Sequence, residues 1–300
     1  FSDLKQVLFG GGKGDPREKK NLFSGLLLAV MMFFSSCGSP ALETIPGRKG
    51  IEMTDGNTVF LKEIDSEEFF AANFFVSAKD TAAIQKTLDK AGQAGGGTVY
   101  IPCGSYKITA PLHIPDQVTL KGDFTSPTAK NPTGAKTRLI LADTEALRQS
   151  PAITLGNRAG ISGLSIQYQA QNTNEIREYP FTIAQNGTEA VSLTDLELVN
   201  SYRAILLEGI LDSALLENLY ITALQTGIQI DRCSGLLRME KIKISPKYWS
   251  NKPKDKKENY DANSVSDFLT ENLTAMAFGD IADAQLYNIE IDTARKGIAA

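Results

Sequence analysis

A short apolar motif recurs through the second half of the chain and constrains its fold more than any other feature. Two apolar residues flank a third residue in Leu164-Ser165-Ile166, and the same pattern begins again at positions 196, 219, 242 and 289. The successive spacings are 32, 23, 23 and 47 residues. They indicate a repeating unit of 23 residues, with one insertion of nine residues and another of 24. A second apolar segment follows eight residues after three of the motifs, at 204–207, 227–230 and 297–300.

Short strands that alternate between inward and outward residues, repeated at this period, predict the coils of a parallel β-helix. Each coil contributes one rung to a sheet, and neighbouring rungs stack about 4.8 Å apart. Leucine-rich repeats have a similar period, but their extended leucine-and-asparagine consensus is missing from this sequence. We therefore predict an all-β fold, a single-stranded parallel β-helix over residues 51–300.

The stretch at 80–97 predicts a helix in front of the first coil. Asp80 or Thr81 is placed to cap its N-terminus, and Ile84 and Leu88 belong to its apolar face. Three glycines at 95–97 end the helix. Because the open end of a solenoid exposes an apolar core and unpaired strand edges, we predict that this is an N-terminal capping α-helix.

The same region resembles a known family. The segment DTAAIQKTLDKAGQAGGGTVYIPCGSYKI at 80–108, followed by PLHIPDQVTLKGD at 111–123, is similar to the N-terminal module of the pectate-lyase-like right-handed β-helix superfamily. That superfamily includes polygalacturonase-related hydrolases, polysaccharide lyases and phage tailspikes. The resemblance implies a right-handed β-helix and a carbohydrate substrate, but it does not fix the reaction.

Polygalacturonase-like members carry an Asn-Thr-Asp, an Asp-Asp pair, a Gly-His-Gly and an Arg-x-Lys, and this set is not complete here. Two reactions on an acidic, pectin-like polysaccharide therefore remain open, namely glycoside hydrolysis and β-elimination at a uronate. A non-catalytic surface protein that binds glycans or acts as an adhesin is the alternative.

The composition argues against two further kinds of function, nucleic-acid binding and histidine-dependent chemistry. The net charge is −4, and no basic stripe stands out, so a nucleic-acid partner is not expected. His113 is the only histidine, which argues against a histidine triad or a histidine-rich metal site.

The N-terminal segment predicts export. Lys19 and Lys20 precede an apolar run of about 13 residues that ends in small residues before Cys37, the pattern of a bacterial lipoprotein signal. We expect residues 1–36 to comprise an upstream segment and the signal peptide, Cys37 to be lipidated, and 37–50 to form a tether. This predicts a lipid-anchored protein of the bacterial cell envelope. Because the sequence begins at Phe1 and stops in mid-strand at KGIAA, we also expect it to be part of a longer protein.

Two carboxylates are candidates for catalysis because of their spacing. Glu208 and Asp231 differ by 23 positions, which predicts the same place on adjacent coils, with Arg232 beside them. Such a pair suits general-acid chemistry or a shared Ca²⁺ if the protein is a lyase, and Arg232 suits a uronate carboxylate. The alternative interpretation is a pair of solvated turn residues next to an arginine.

The middle residues of the apolar motifs should form one outward row: Ser165, Glu197, Tyr220, Lys243 and Glu290. Lys243 is a candidate for the base that removes the C5 proton of a uronate, provided that its pKa is lowered. Tyr220 would then stack on a sugar or move a proton. The alternative is an ordinary solvated outer face.

The larger insertion predicts a substrate-binding loop. It holds Tyr248, Trp249 and Tyr260 among several lysines, and aromatic rings with cations suit the faces and acidic groups of sugars. The smaller insertion carries Arg177 and Tyr179, which would line the same groove. A charged surface loop without a function is the alternative.

Overall fold

The computed structural model describes residues 51–52, 58–59, 74–76, 78–128, 136–250 and 262–300. All of these residues belong to one compact unit, Glu43–Ala300. The predicted signal peptide, Cys37, the tether and Tyr260 lie outside the described residues. Within the described ranges, no helix has both the length and the apolar character needed to cross a membrane.

Among the described residues, strands dominate and three α-helices interrupt them. The strands are β1 (Ile51–Glu52), β2 (Thr58–Val59), β3 (Phe74–Phe75), β4 (Gly97–Ile101), β5 (Gly104–Ile108), β6 (Leu112–Ile114), β7 (Val118–Gly122), β8 (Thr137–Leu141), β9 (Ile153–Leu155), β10 (Gly160–Tyr168), β11 (Phe181–Ile244), β12 (Thr274–Phe278), β13 (Ile281–Ile291) and β14 (Lys296–Ala299). The helices are α1 (Thr81–Gln93), α2 (Glu145–Gln149) and α3 (Ala262–Asn272), with a 3-10 helix at Pro246–Tyr248. β11 is a 64-residue run of β structure that continues through several coils.

The strands stack into three parallel ladders, which we name A, B and C. Ladder A contains β4, β7, residues 160–162 and 192–194, and later 236–240 paired with 283–287. Ladder B contains β5, β8, residues 164–168 and 196–199, and later 242–244 paired with 289–291. Ladder C contains β6, β9, residues 183–184, and later 228–230 paired with β12 and β14. The chain passes through A, B and C in turn, and this is the predicted right-handed parallel β-helix.

The register confirms the repeat that the sequence indicated. Leu164 lies beside Leu196 across the nine-residue insertion, and Ile242 lies beside Ile289 across the larger one. Leu164, Leu196 and Ile242 are completely buried. Each such side chain contributes about 1.5–3 kcal/mol relative to an exposed one, so the apolar positions of the motif form the core.

Single residues with left-handed backbone make the corner between ladders A and B. They recur once per coil at Gly163, Asp195, Asn218, Lys241 and Asn288, with φ between 54° and 75°. One such residue redirects a strand without a loop, and glycine, asparagine and aspartate adopt this conformation most readily. The Asn218 amide also donates a hydrogen bond to the Asp195 carboxylate at 2.5 Å, which links neighbouring corners.

Helix α1 lies where the sequence predicted it. The Asp80 carboxylate accepts a hydrogen bond from the Ala83 amide at 2.8 Å and caps the helix. Ile84 and Leu88 are completely buried and join the main core, next to the strands of the first coil. Its role as a cap for the open end stays a prediction.

Candidate functional site

Glu208, Asp231 and Arg232 meet at the end of the ladder C strands. Arg232 Nη2 lies 3.3 Å from Glu208 Oε2, and Arg232 Nε lies 3.7 Å from Asp231 Oδ2. Their side chains are 26%, 37% and 58% exposed for Glu208, Asp231 and Arg232 respectively. The 23-residue spacing therefore does bring the two acids to adjacent coils, with the arginine between them and open to solvent.

The backbone of Arg232 is in the left-handed region, with φ of 53°. The preceding coils have glycines at the equivalent turn, Gly187 with φ of 74° and Gly209 with φ of 67°. A non-glycine residue costs about 1–2 kcal/mol in this conformation. Residues in this conformation are enriched at binding and catalytic sites, which makes this turn a candidate site.

The two carboxylates are not equivalent. Asp231 Oδ1 accepts a hydrogen bond from the Asp280 amide at 2.9 Å and so closes the turn of the next coil. A Cβ atom on Gly279 would lie only 2.0 Å from that oxygen, which explains the glycine there. Asp231 therefore holds the backbone, whereas the contact described for the Glu208 carboxylate is with Arg232.

Calcium coordination does not suit this group as it stands. Calcium takes about six to eight oxygen ligands, whereas the guanidinium of Arg232 already lies between the two carboxylates. Across the part of the chain that the structure describes, no set of three or more histidine, cysteine, aspartate or glutamate side chains is placed to hold a metal ion.

The predicted outward row on ladder B is present, but its middle is covered. Ser165 pairs with Glu197 and Lys243 pairs with Glu290 in the register. Tyr220 is only 6% exposed, because Phe124 packs against it with ring centroids 6.1 Å apart. Sugar stacking on Tyr220 would therefore require the segment around Phe124 to move.

Ion pairs surround the covered ring. Glu197 is buried, accepts a hydrogen bond from Ser165 Oγ at 2.6 Å and is paired with Lys136. Lys243 Nζ lies 2.8 Å from Glu290 Oε2. The hydrogen bond from Lys243 to Glu290 raises the pKa of the lysine, whereas a base would need a lowered pKa. Lys243 is thus held as a cation in this arrangement.

Tyr248 and Trp249 belong to a segment that packs against the surface of the β-helix. The ring of Tyr248 contacts Tyr220 edge to face, with centroids 5.4 Å apart. Burial, together with the nearby Glu290 carboxylate, raises the pKa of Tyr248 to about 12. Trp249 packs partly against the core, and the Ser250 amide donates to Asn200 Oδ1 at 3.0 Å. Both aromatic side chains are half-buried rather than displayed on a free loop.

Arg177 and Tyr179 form a separate group between ladders B and C. The Tyr179 hydroxyl donates to Asp143 Oδ1 at 2.6 Å, and Arg177 Nε lies 3.1 Å from Asp143 Oδ2. The hydrogen bond from Arg148 is the main reason that the pKa of Asp143 falls to about 2. The side chains of Arg148, Arg177 and Tyr179 border a pocket of about 260 Å³ that Glu178 also lines.

The opposite edge of ladder C carries a group that the sequence did not indicate. Arg203 lies over the rings of Phe181 and Tyr202, with Cζ 6.0 Å and 5.6 Å from the two centroids. Its Nε donates to Gln225 Oε1. Phe181, Arg203 and Gln225 follow one another at spacings of 22 residues, and this is the signal in the sequence that could have located them.

Comparisons with known proteins agree with this fold. A family model described as rhamnogalacturonase A/epimerase, pectate lyase-like, matches residues 77–249. Over 79 residues the chain is 34% identical to mannuronan C5-epimerase AlgE1 of Azotobacter vinelandii. That alignment covers 24% of this chain and 6% of the length of the epimerase.

Two solved structures are also similar, both from Azotobacter vinelandii. The A-module of mannuronan C-5 epimerase AlgE6 aligns with a TM-score of 0.36 and 14% identity, over 71% of this chain and 62% of that module. The A-module of AlgE4 aligns with a TM-score of 0.27 and 12% identity, over 78% of this chain and 96% of that module. Since the family model covers more than half of the sequence, the chain belongs to the rhamnogalacturonase A/epimerase, pectate lyase-like family.

Proposed function

We propose that this protein binds and chemically modifies an acidic polysaccharide on the outer face of ladder C. The observation that carries the proposal is the group of Glu208, Asp231 and Arg232, where a strained and exposed arginine lies between two carboxylates. Membership of a family described by a rhamnogalacturonase, an epimerase and pectate lyases supports this class of substrate. The short alignment with a mannuronan C5-epimerase supports a uronate within it.

Arg232 is the residue that we assign to the uronate carboxylate. A guanidinium offers five N–H donors in a planar fork that matches a carboxylate. Glu208 and Asp231 approach Nη2 and Nε, and the side chain is more than half exposed. Nη1 therefore remains open to the substrate. A uronate bound there would have its charge neutralised, which makes the proton on its C5 carbon more acidic.

Glu208 is the residue that we assign to proton transfer. Asp231 is engaged by the Asp280 amide and Lys243 is held as a cation by Glu290, so Glu208 is the less constrained group. In elimination or epimerisation a base removes the C5 proton. The resulting carbanion then either expels the glycosidic oxygen at C4 or takes a proton back on the opposite face.

Hydrolysis uses the same residues differently. Retaining glycosidases use two carboxyl groups about 5–5.5 Å apart, and Glu208 and Asp231 on adjacent coils are the pair available here. One carboxyl group would protonate the leaving oxygen and the other would attack the sugar. The hydrogen bond from Asp280 to Asp231 disfavours this role, so proton transfer at C5 is the reaction class that we place first.

Binding without chemistry is the second candidate. Its support is that the ionic groups near ladder B pair with one another, as in Lys243 with Glu290 and Lys247 with Asp292. In that case Arg232 and the aromatic side chains would hold a glycan that the protein does not change.

The test exposes the 300-residue chain, in a mild detergent, to homogalacturonan, alginate, other pectins and glycosaminoglycans in deuterated water. Unsaturated uronate absorbance, reducing ends and deuterium at C5 are followed together. Absorbance with new reducing ends indicates a lyase, reducing ends alone a hydrolase, and deuterium alone an epimerase. If none of the three signals changes, an enzymatic role on these polymers is contradicted. Retention on an immobilised glycan would then support binding without chemistry.

We also propose export and lipidation at Cys37. The support is the basic pair and apolar run that precede this cysteine. Expression in bacteria with a fatty-acid analogue should label the protein and give membrane association, and C37S should abolish the label. Equal labelling of C37S would contradict the assignment.

A further inference from the structure

Among the described residues, no ion pair joins Arg203 to a carboxylate, and the same is true of Arg138 and Arg295. Arg148, Arg158, Arg177, Arg232 and Arg238 each lie within ion-pair distance of an aspartate or glutamate. Among the described residues, the hydrogen bond of Arg203 goes to the neutral amide of Gln225. Arg203 is half-buried, and a partly desolvated charge without a counter-charge costs free energy unless a ligand supplies one.

The surroundings of Arg203 orient the guanidinium, and the Glu178 carboxylate lies nearby, hydrogen-bonded to Tyr202. Phe181 and Tyr202 place their rings 6.0 Å and 5.6 Å from Cζ, within the range of a cation–π contact. Gln225 fixes Nε from the next coil. The two Nη groups have no acceptor among the described residues, so the outer edge of the fork stays available. A carboxylate matches that edge with two parallel hydrogen bonds.

Arg203 lies on the same ladder C strand as Glu208, the residue that we assign to proton transfer. Arg203 and Glu208 lie five residues apart in β11, which is about 17 Å of extended strand. The outward residue between them is Leu206, which is uncharged and half-exposed. Arg203, with its two aromatic rings, therefore lies at one edge of this strand, and the Arg232 group lies at the other.

We propose that Arg203, with Phe181, Tyr202 and Gln225, forms a second carboxylate-binding subsite that holds a uronate unit remote from the one at Arg232. Arg203 binds the carboxylate, while Phe181 and Tyr202 offer apolar surface to the sugar. This inference rests on the proposed function and deepens it, because two separated cations select a polymer with repeated carboxylates over a single uronate or a neutral glycan.

The test measures binding of short oligosaccharides to the 300-residue chain in a mild detergent by calorimetry. The probes are the trimers of galacturonate and mannuronate and the methyl esters of both, which have the same size without the charge. Substituting Arg203→Gln should weaken the binding of an acidic trimer about tenfold to a hundredfold and leave the ester unchanged. The affinity of Arg203→Lys for the acidic trimer should lie between those of the wild type and Arg203→Gln, because lysine keeps the charge but lacks the planar guanidinium fork.

Arg138 provides the matched control. It is an exposed arginine on ladder B, where it lies beside Ser165 in the register, so Arg138→Gln should leave the affinity unchanged. Equal binding of the acidic trimers by the wild type and Arg203→Gln would overturn the subsite but leave the proposed function standing. If the wild type binds no acidic trimer, or binds acidic trimers and their methyl esters equally well, both the subsite and the proposed function would be overturned. Thermal unfolding of each variant shows whether it is folded. If Arg203→Gln is not folded, the affinity of Arg203→Lys is used in its place.

Discussion

Arg232 and Glu208 face each other across two adjacent coils, with Nη2 and Oε2 3.3 Å apart, and the arginine holds a left-handed backbone to make this contact. The equivalent turns in the preceding coils carry glycine. At this turn of ladder C, a charged residue with a left-handed backbone therefore stands where the two preceding coils have glycine.

Substituting Arg232→Gly should make the fold more stable and the binding of acidic glycans weaker. Relief of the left-handed strain contributes about 1–2 kcal/mol, and loss of an exposed ion pair removes about 0–1 kcal/mol. The net gain should lie between about 0 and 2 kcal/mol in chemical denaturation.

Arg158 is the matched control for this prediction. It has φ of 53° and an exposed ion pair with Glu189, but it lies outside the proposed site. Arg158→Gly should raise stability similarly without changing glycan binding. Equal loss of binding in both variants would show that charge anywhere on the surface is sufficient.

Asp231 and Glu208 should respond differently to substitution. Asp231→Ala leaves the Asp280 amide without its acceptor and should lower the free energy of unfolding by about 1–3 kcal/mol. Glu208→Gln should change it by less than about 0.5 kcal/mol, while it reduces turnover. Denaturation curves and rates on the same protein samples separate the two effects. A structural role for Glu208 would appear as destabilisation by the glutamine variant.

Asp143 should make the fold sensitive to acid. Its pKa is about 2 in the folded protein, against about 3.9 in an unfolded chain. A depressed folded-state pKa contributes stability that is complete above the unfolded value and is lost as the pH falls through the folded one. The contribution should be roughly 2 kcal/mol at neutral pH and should decline between about pH 4 and pH 2.

Asp143→Asn should remove this contribution. The variant should be less stable than the wild type at pH 7, and the difference should shrink as the pH approaches 2. Urea denaturation across this pH range measures it. A constant difference at every pH would mean that packing around Tyr179, and not the charge of Asp143, accounts for the loss.

Lys243 should behave as a protected cation. The hydrogen bond to Glu290 raises its pKa, so its amine should react slowly with an acylating reagent at mildly alkaline pH. Glu290→Gln should lower the pKa and increase the labelling rate of Lys243, as measured by peptide mass spectrometry. Unchanged labelling of Lys243 in Glu290→Gln would contradict the ion pair between Lys243 and Glu290. Lys243 would then again be a candidate for the base.

Helix α1 should act as the predicted cap. Leu88→Ala removes a completely buried side chain and should cost about 2–5 kcal/mol. If the helix covers the open end, the variant should also bind a hydrophobic dye and associate into larger species. Gln93, at the end of the helix, offers a control substitution to alanine. Destabilisation of Leu88→Ala without dye binding or association would indicate packing without a capping role.

The sequence predicted the fold because its periodicity is also the physical repeat. Leu164 and Leu196 are 32 positions apart and stack in register because alternation fixes which residues face the core. The same arithmetic brought Glu208 beside Asp231, and it ordered the row from Ser165 to Glu290. These relationships require only the length of a coil.

The environment of each side chain was not predictable in the same way. Tyr220 is buried because Phe124 and Ser126 approach from a coil almost a hundred residues earlier, and no local pattern signals that approach. The left-handed corner at Lys241 was also missed, since lysine does not favour that conformation. The pairing of Lys243 with Glu290 and the rings around Arg203 depend on side-chain directions that the repeat does not specify.

Catalysis by Glu208 is tested by the rate of C5 deuterium incorporation or product formation on a polyuronate in the wild type, Glu208→Gln and Arg158→Gly. We expect the wild type to be active and Arg158→Gly to match it. Glu208→Gln should be slower by about a hundredfold or more, as expected when a group that transfers a proton is removed. Activity of Glu208→Gln equal to that of the wild type would contradict the assignment of the reaction to this edge of ladder C.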